Sequence, residues 1–370
     1  MDYMQQALVL ARLALGQVSP NPPVGAVIVA NDTIVGQGYT QPPGLPHAEI
    51  MALRQAGEAA RGAVLYVTLE PCCHYGKTPP CTKAIIEAGI KEVHLAVSDP
   101  NPLVSGAGAR ELEDHGITVY KGEHAAEASE LTEAFCKYIV TRRPFVTAKF
   151  AMSLDGKIAT RSGDSRWISG VESRRLVHHL RYISDAVMVG ANTIRVDDAR
   201  LTVRCCGGKG GMVKKQPLRV VMDSRLRTGP GARLLHEPGS TIIATLKPAD
   251  EKKKQALLDS GAEVLECDGS EGRVDIHQVM TILGEREITS LLVEGGGVLL
   301  GSLFDQGLVD KVTVFIAPLV LGGARAKTAV AGKGAALISE SLRLNRVKVE
   351  NIGDDIVITG YTREQTCLPA

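Results

Sequence analysis

The sequence predicts two consecutive α/β domains, and three observations carry that prediction. The chain has 370 residues, which is more than one hydrophobic core usually serves. Short apolar runs alternate with segments of helical periodicity along most of its length, as in α/β proteins. The charged and proline-containing stretch Thr141–Pro144 interrupts this alternation before a fresh strand pattern begins. We therefore expect domains over 1–144 and 145–370.

The first domain begins with a helix, because Ala7, Leu8, Ala11 and Leu15 fall on one stripe. Two apolar runs separated by Asn31-Asp32 then predict a hairpin over 24–39. The further elements predicted in this domain are a helix over 47–60, a strand over 64–69, a helix over 82–88, a strand over 92–97 and helices over 107–114 and 123–140.

The second domain resumes the alternation. Its predicted elements are a strand over 145–151, a helix over 171–180, strands over 186–189, 218–222 and 241–245, a helix over 249–260, a strand over 263–267, a helix over 274–284, a strand over 290–293 and a helix over 298–305. The segment 205–216, CCGGKGGMVKKQ, is rich in glycine and lysine and predicts an exposed loop. No repeat of solenoid or propeller spacing occurs.

Composition disfavours several classes of protein. The net charge is +1, and residues 1–144 carry 11 Lys+Arg against 15 Asp+Glu, which argues against a nucleic-acid partner for that half. The N-terminus lacks the pattern of a signal peptide, and no stretch has the length of a membrane span. Eight unevenly spaced cysteines suggest metal binding or burial rather than a disulfide scaffold. We expect a cytoplasmic homo-oligomer that acts on a small molecule, with no nucleic-acid or membrane partner.

A candidate zinc site is formed by three short motifs at junctions between strands and helices. His47-Ala48-Glu49 opens a predicted helix, Pro71-Cys72-Cys73 follows a predicted strand, and Cys81 precedes the next helix. A catalytic zinc takes three protein ligands and keeps one position for water, whose pKa the metal lowers. Glu49, two residues after His47, is placed to move protons. The alternative is a histidine with buried, inert cysteines.

This combination is typical of zinc deaminases, whose pattern is H-x-E followed by P-C-x-x-C. The present chain departs from that pattern, because Tyr75 stands where the second cysteine would be. The second thiolate must therefore come from Cys81, after a longer loop. Cys73 is a competing neighbour of Cys72, and we favour Cys72 because it directly follows the proline.

The longer loop, Pro71–Cys81 (PCCHYGKTPPC), resembles that of the bifunctional riboflavin-biosynthesis deaminase/reductase family, as do Asn21–Gly25 (NPPVG) and Asp99–Pro102 (DPNP). The resemblance implies a cytidine-deaminase-like α/β/α sandwich followed by a dihydrofolate-reductase-like α/β domain, with Zn²⁺ and NADPH as cofactors. It implies zinc ligands at His47, Cys72 and Cys81 and a catalytic Glu49. Family members usually carry serine where this chain has Cys73.

The same resemblance implies further contacts in the deaminase domain. A pyrimidine and its ribose phosphate would be bound by Asn21, His74, Lys77, Asp99 and Asn101. Lysine suits a phosphate, and asparagine offers both donors and acceptors to a ring. Turn formation beside proline is the alternative reading of Asn21 and Asp99, and His74 could equally be a loop histidine with a satisfied hydrogen bond.

In the second half, the segments Met152–Ala159, Gly163–Ser169 and Val189–Asp198 look like the reductase part of the same family. Val293–Gly297 (VEGGG) lies between a strand and a helix, where glycines let a backbone approach a pyrophosphate, although packing alone also explains such a turn. Trp167 could equally be a core residue. The resemblance implies cofactor contacts at Ala151, Trp167, Thr193, Asp197, Ser224, Gly296, Gly297, Val298, Leu299, Leu300, Gly301 and Ser302. It implies substrate contacts at Ser165, Arg181, Leu201, Arg204 and Glu294.

The leading interpretation is thus a two-step enzyme. The first domain would hydrolyse the exocyclic amine of 2,5-diamino-6-ribosylamino-4(3H)-pyrimidinone 5′-phosphate, and the second would reduce the ribosyl group with NADPH. An RNA- or cytidine-type deaminase fused to an unrelated domain is the second interpretation. A binding module with a structural zinc is the third, but such a site is closed by four ligands and has no use for Glu49.

Overall fold

The computed structural model describes residues 1–76, 78–204 and 215–363. It divides into two compact units, Met1–Arg143 and Pro144–Glu364 with the last described residue at Arg363. Among the described residues, no helix combines the length and apolarity needed to cross a bilayer. The segment 205–216 predicted as an exposed loop falls almost entirely outside the described residues.

The first unit is a five-stranded sheet with order β2-β1-β3-β4-β5. Its strands are β1 (Gly25–Ala30), β2 (Thr33–Tyr39), β3 (Val64–Val67), β4 (Glu92–Leu95) and β5 (Thr118–Lys121). Its helices are α1 (Tyr3–Ala14), α2 (Ala48–Ala56), α3 (Cys81–Glu87), α4 (Ala107–Asp114) and α5 (Ala125–Thr141), with a 3-10 turn at Gly57–Ala60. The predicted hairpin is the antiparallel pair β1–β2, whereas β3, β4 and β5 run parallel.

Glycines in the hairpin bring two helices against opposite faces of this sheet. A Cβ on Gly25 would lie 1.9 Å from the Ala7 carbonyl of α1, and one on Gly38 would lie 2.5 Å from the Ala48 carbonyl of α2. Gly38 pairs with Ala26, so these two residues face the same side of the sheet. Gly25 precedes Ala26 and faces the other side, because successive strand residues alternate between the two faces. Helices α1 and α2 therefore cover the two faces, and the close contact at Gly38 fixes the start of α2.

The second unit contains a nine-stranded sheet with order β10-β9-β8-β7-β13-β6-β14-β16-β15. Its strands are β6 (Phe145–Ser153), β7 (Ala186–Gly190), β8 (Leu218–Met222), β9 (Thr241–Leu246), β10 (Glu263–Cys267), β13 (Ser290–Val293), β14 (Lys311–Ala317), β15 (Asn345–Ile352) and β16 (Asp355–Tyr361), with a small hairpin of β11 (Gly269–Ser270) and β12 (Arg273–Val274). Its helices are α6 (Val171–Ile183), α7 (Ala191–Asp197), α8 (Glu251–Asp259), α9 (Ile276–Glu285) and α10 (Gly297–Asp305), with 3-10 turns at Arg233–His236 and Ile338–Glu340.

Both faces of the central strands in this sheet are buried. Along β7, Met188 belongs to one apolar cluster, whereas Val187 and Val189 belong to another. Strands buried on both faces read as continuous apolar runs, which is why β7, β8, β9 and β13 were predictable from sequence. The seven neighbouring strands β10, β9, β8, β7, β13, β6 and β14 pair in parallel, whereas β14 with β16 and β16 with β15 pair antiparallel.

Candidate zinc centre and reductase cleft

The predicted zinc ligands come together at one edge of the first sheet. His47 immediately precedes α2, Cys72 follows β3 and Cys81 is the first residue of α3. The His47 Nδ1 atom lies 3.7 Å from the Cys72 Sγ and 3.4 Å from the Cys81 Sγ. All three ligand atoms lie within 4.8 Å of one another.

These distances fit tetrahedral zinc. With Zn–S near 2.3 Å and Zn–N near 2.0–2.1 Å, the edge between a sulfur and a nitrogen of the tetrahedron is about 3.6 Å. The other nitrogen of the imidazole, Nε2, lies 3.3 Å from the Thr78 hydroxyl. A hydrogen bond at that position orients the ring and fixes which nitrogen is available to a metal. Thr78 is therefore a candidate supporting residue that the sequence did not single out.

Electrostatics at the two cysteines also suit a divalent cation. The pKa of Cys72 is lowered to about 4, first by a hydrogen bond from Cys81 and then by His47 and the Cys81 backbone N–H. The pKa of Cys81 is raised well above its usual value by the same proximity and by burial. Two neighbouring thiolates repel each other, so deprotonation of both requires a positive charge between them.

Cys73 has different surroundings from Cys72. Its thiol donates to the Leu103 carbonyl at 3.8 Å, and burial is the main cause of its raised pKa. Among the described residues, the His/Cys cluster of ligand-like geometry contains His47, Cys72 and Cys81 and does not include Cys73. The geometry therefore favours Cys72 over its neighbour as the first thiolate ligand.

Glu49 lies in the first turn of α2 and is almost fully buried, with 4% of its surface exposed. Burial raises the pKa of its carboxyl, and the nearby Cys72 acts in the same direction against the influence of His47. A buried carboxyl with a raised pKa is a better proton acceptor than an exposed one, and it can return the proton later. Glu49 thus has the environment expected of a proton shuttle.

Glu70, three residues after β3 and directly before Pro71, organises the loop on the other side of the site. Its carboxylate accepts hydrogen bonds from the backbone N–H groups of Asp99, Gly106 and Ala109 at 3.0–3.1 Å. It is only 3% exposed, so these three donors replace its hydration. Glu70 ties the Asp99–Ala109 segment to the stretch of chain that carries Cys72, a role that cannot be recognised before the fold brings these residues together.

Three of the residues predicted to contact the pyrimidine, Asn21, Asp99 and Asn101, lie around the same sheet edge. Asn21 precedes β1, and β1 runs antiparallel to β3, so the start of β1 meets the end of β3. Asp99 and Asn101 follow β4, which is parallel to β3. The Asp99 side chain accepts from the Asn101 N–H at 2.8 Å, and burial is the main reason that its pKa is raised to about 7.

His74 and Lys77 complete the set of residues predicted to contact the pyrimidine nucleotide, and the structure describes only His74. The Nδ1 atom of His74 is buried without a hydrogen-bond partner among the described residues. A satisfied loop histidine, the alternative reading, would have one. Lys77 lies outside the described residues.

The second unit has a cleft at the carboxyl edge of its parallel strands, the usual place for ligands in α/β sheets. A cavity of 370 Å³ opens where β6, β7 and β13 end. Its lining includes the predicted cofactor residues Ala151, Trp167, Thr193, Asp197, Gly296, Gly297 and Leu300, and the predicted substrate residues Ser165, Arg181, Arg204 and Glu294.

Arg181 and Glu294, both predicted substrate contacts, bind each other across this cavity. The guanidinium donates through Nε and Nη2 to the two carboxylate oxygens, the second at 2.9 Å, and through Nη1 to the Thr202 carbonyl at 3.0 Å. Their side chains are 13% and 7% exposed. Burial opposes ionisation of Glu294, but Arg181 and then Lys149 lower its pKa below the usual value. Arg181 therefore faces the cavity with its charge already paired, whereas Arg204 is exposed.

A second cavity of 770 Å³ adjoins the first and shares lining residues with it, including Asn192, Gly296 and Gly297. Ser224, Val298, Leu299 and Ser302, also predicted to contact the cofactor, line this second cavity. The glycine turn between β13 and α10, residues Gly295–Gly297, therefore forms part of the wall of both cavities. Gly295 and Gly296 have φ of +125° and +81°, a backbone that a side chain would strain.

The structure places two predicted residues away from the cavity walls. Leu201 is 2% exposed and belongs to an apolar core cluster. A Cβ on Gly301 would lie 2.1 Å from the Ala331 carbonyl, so this glycine allows α10 to pack closely. Trp167, in contrast, is 71% exposed and stacks under the Arg174 guanidinium at 4.6 Å, which excludes the alternative of a core tryptophan.

Lys149 and His178 are two titratable residues of the cavity lining that the sequence analysis did not single out. Lys149 of β6 faces the 370 Å³ cavity, and burial lowers the pKa of its ammonium. His178 of α6 also lines it, and burial followed by the charges of Arg181 and Arg204 lowers its pKa to about 4. The sequence showed His178 only as part of a helix face. The only available signal for Lys149 was a cation inside an otherwise apolar strand.

Comparison with known families divides the chain in the same way as the fold does. The family described as the RibD C-terminal domain matches residues 144–358, and the family described as the cytidine and deoxycytidylate deaminase zinc-binding region matches residues 1–97. The predicted fold class, a cytidine-deaminase-like domain followed by a dihydrofolate-reductase-like α/β domain, is thereby confirmed.

Relatives match over nearly the whole chain. The riboflavin biosynthesis protein RibD of Aquifex aeolicus is 46% identical over 358 residues, covering 96% of this chain and 97% of that protein. The Escherichia coli protein of the same name is 38% identical, with coverage of 96% and 97%. Among solved structures, Acinetobacter baumannii RibD has a TM-score of 0.85 at 38% identity, covering 97% of both chains. A diaminohydroxyphosphoribosylaminopyrimidine deaminase/5-amino-6-(5-phosphoribosylamino)uracil reductase from Thermotoga maritima has a TM-score of 0.83 at 37% identity, with the same coverage.

Proposed function

This chain belongs to the RibD family of riboflavin-biosynthesis proteins, and we propose that it carries out both reactions with the residues described above. It is a bifunctional enzyme of riboflavin biosynthesis, a deaminase followed by a reductase. Residues 1–144 hydrolyse the exocyclic amine of 2,5-diamino-6-ribosylamino-4(3H)-pyrimidinone 5′-phosphate. Residues 145–370 then reduce the ribosyl group of the product with NADPH, giving 5-amino-6-ribitylaminouracil 5′-phosphate.

In the deaminase site, His47, Cys72 and Cys81 would hold Zn²⁺, and the metal would supply the acidification of the attacking water. Glu49 accepts the proton of the attacking water and delivers protons to the ring nitrogen and to the leaving amine. Its burial favours this exchange, because burial raises the pKa of the carboxyl and so makes it a better proton acceptor than an exposed glutamate.

Substrate recognition in this domain falls to the loops at the same sheet edge. Asn21 and Asn101 present groups that can both donate to and accept from a pyrimidine ring. His74, through its unpartnered Nδ1, and Lys77, through its ammonium group, bind the ribose phosphate. Asp99 stabilises the loop that carries Asn101, through its hydrogen bond to the Asn101 backbone.

In the reductase site, the chain orients two ligands and needs no protein nucleophile. Arg204 and Ser165 bind the sugar phosphate, while the Arg181–Glu294 pair forms a polar wall of the cavity. The glycine turn before α10 lets the backbone approach the cofactor pyrophosphate, whose charge the helix N-terminus favours. The chemistry of hydride transfer is the cofactor's, and the protein supplies orientation and exclusion of water.

The observation that carries this proposal is the convergence of two thiolates, one imidazole and a buried carboxyl at the end of β3. Supplying purified protein with the diaminopyrimidine nucleotide should release ammonia without NADPH. Adding NADPH should then lead to oxidation of one NADPH for each ammonia released, measured by the loss of NADPH absorbance. Ammonia release from cytidine or tRNA instead of this nucleotide would contradict the substrate assignment.

We further propose a cytoplasmic homo-oligomer without nucleic-acid or membrane partners. The cysteines described as free, including Cys72 and Cys81 at the zinc site, are consistent with a reducing compartment. The exposed edge strand β15, with Val347 and Val349 at 50% and 62% exposure, supports self-association.

A further inference from the structure

Three arginines that no earlier argument uses line the 770 Å³ cavity. Arg225, Arg227 and Arg273 lie on its rim together with Lys327, while Glu271 is the one carboxylate among the described lining residues. The glycine turn and α10, which carry predicted cofactor contacts, form another part of the same wall. The cavity therefore combines a place for a dinucleotide with an excess of positive charge.

The turn after β8 holds two of these arginines toward the cavity. Leu226 is 3% exposed and has a φ of +47°, so it anchors the turn in the core. Its neighbours Arg225 and Arg227 are exposed. Asp223, fully buried, accepts from the Thr228 N–H at 2.6 Å and from its hydroxyl at 2.8 Å, which closes the turn. This geometry is fixed by the chain itself and needs no ligand.

The third arginine is connected to the same turn. The Ser224 hydroxyl accepts from the Val274 N–H at 3.2 Å, linking the turn to β12, where Arg273 is the preceding residue. Arg273 in turn donates through Nη1 to the Ser302 hydroxyl on α10 at 3.3 Å. Both serines are predicted cofactor contacts, so Arg225 and Arg273 flank them on one rim.

We propose that Arg225 and Arg273 bind the 2′-phosphate of the cofactor's adenosine and so select NADPH over NADH. This inference rests on the proposed reductase function. The two cofactors share the pyrophosphate and differ in a phosphate that is close to a dianion at neutral pH, a group that guanidinium forks bind by charge-assisted hydrogen bonds. Arg227 lies 3.8 Å from the buried Asp223 carboxylate, so its charge is partly compensated and the selectivity falls to the other two.

Equilibrium binding to the full-length protein tests this selection without turnover. The dissociation constants of NADPH, NADH, 2′,5′-ADP and 5′-AMP would be measured for the unmodified chain and for Arg225→Gln, Arg273→Gln and the double variant. We expect tighter binding of NADPH than of NADH. Each single variant should raise the dissociation constants of NADPH and 2′,5′-ADP about tenfold, equivalent to about 1.4 kcal/mol. The dissociation constants of NADH and 5′-AMP should stay unchanged.

Arg175→Gln provides a matched control, because Arg175 is an exposed arginine of the same unit on α6 and is not among the residues that line the cavity. It should alter none of the four constants, and retained NADH binding shows that each variant is folded. Equal weakening of NADPH and NADH would overturn the assignment, since the arginines would then contact the shared pyrophosphate. Equal affinity of the unmodified chain for both cofactors would overturn it too. Failure to bind either dinucleotide would instead contradict the proposed reductase function.

Discussion

Cys72 and Cys73 are adjacent in the chain, yet only one of them faces His47. The Cys72 thiolate accepts from the Cys81 N–H at 3.4 Å, whereas Cys73 turns toward the Leu103 carbonyl. Sequence reasoning could narrow the choice only by the preceding proline. In the structure the two thiols make different contacts, and those of Cys72 favour it as the ligand.

The first prediction follows from that difference. Cys72→Ser and Cys81→Ser should each lose the zinc, since a neutral hydroxyl is a far weaker ligand than a thiolate, while Cys73→Ser should keep about one zinc per chain. Metal analysis of the three purified variants checks this. Retained zinc in the Cys72 variant together with loss in the Cys73 variant would reverse the ligand assignment.

Glu49→Gln separates proton transfer from metal binding. Glutamine keeps the size of the side chain but cannot accept a proton at neutral pH, so deamination should fall by about 10²–10⁴-fold. Zinc content, melting temperature and reduction of the supplied deaminated substrate should be retained. These four quantities can be measured on one preparation, and near-normal ammonia release would remove Glu49 from the mechanism.

Because Arg181 is paired with Glu294, substituting it should affect the stability of the reductase domain as well as substrate binding. Arg181→Ala leaves a buried carboxylate unpaired, so we expect both a higher KM and a loss of stability of about 3–5 kcal/mol. Arg204→Ala should raise KM with little change in melting temperature, because Arg204 is exposed. Calorimetry and steady-state kinetics on both variants give the comparison.

An apolar double variant provides the control for that prediction. Arg181→Met/Glu294→Leu removes both charges, so it should recover much of the lost stability while the KM stays high. An Arg181→Ala variant as stable as the unmodified chain would show that the pair contributes nothing to the fold.

At the scale of elements, the predicted zinc site depends on how closely α4 packs against the segment that follows β3. A Cβ on Gly108 would lie 2.2 Å from the Pro71 carbonyl and 3.3 Å from the Glu70 carboxylate. Helix α4 therefore constrains the residue directly before Cys72. The sequence showed Gly108 only as an ordinary residue of a predicted helix.

Gly108→Ala should displace the Pro71 carbonyl and weaken zinc binding, although Gly108 is not a ligand. Overpacking of this kind typically costs about 1–3 kcal/mol. Gly231→Ala is a suitable control, because a Cβ there meets nothing within 4 Å. Competition with a chelator measures the zinc affinity of both variants, and unchanged affinity in Gly108→Ala would show that the loop tolerates the shift.

Most elements were predictable because they bury one stripe or a continuous apolar run. Strands β7, β8 and β13 follow that rule closely. Strand β15 was not predicted, since its side chains are almost all exposed and its pattern carries no buried face. Helix α7 was also missed, because its seven residues are too few to establish a helical period.

The chemistry of the site was predictable where it lies in short motifs, and not where it depends on distant residues. His47-Ala48-Glu49 and Pro71-Cys72 are local patterns that the fold brings together. The pairing of Arg181 with Glu294 joins residues 113 positions apart, and Glu70 binds backbone groups 29–39 positions away. Such partners depend on strand order, which a single sequence does not determine.

At the scale of the whole molecule, the two units are independent in sequence and in core. The apolar cluster of the first contains residues between Met4 and Cys136, and those of the second begin at Val146. Among the described residues, those that line the cavities with predicted cofactor contacts all belong to the second unit.

Residues 144–370 expressed alone should therefore fold and bind NADPH. The cut falls at Pro144, between α5 and β6, and β6 lies inside the nine-stranded sheet of its own unit, so no strand is separated from its partners. Cofactor titration and thermal unfolding of this fragment, beside the full chain, measure the outcome. The fragment should bind NADPH with a dissociation constant within a few-fold of that of the intact protein, and it should release no ammonia from the diaminopyrimidine nucleotide.

A soluble, cooperatively unfolding fragment that binds no NADPH at millimolar concentration would contradict the placement of the cofactor in this unit. Binding that returns only when residues 1–143 are added in trans would assign part of the cofactor site to the first unit.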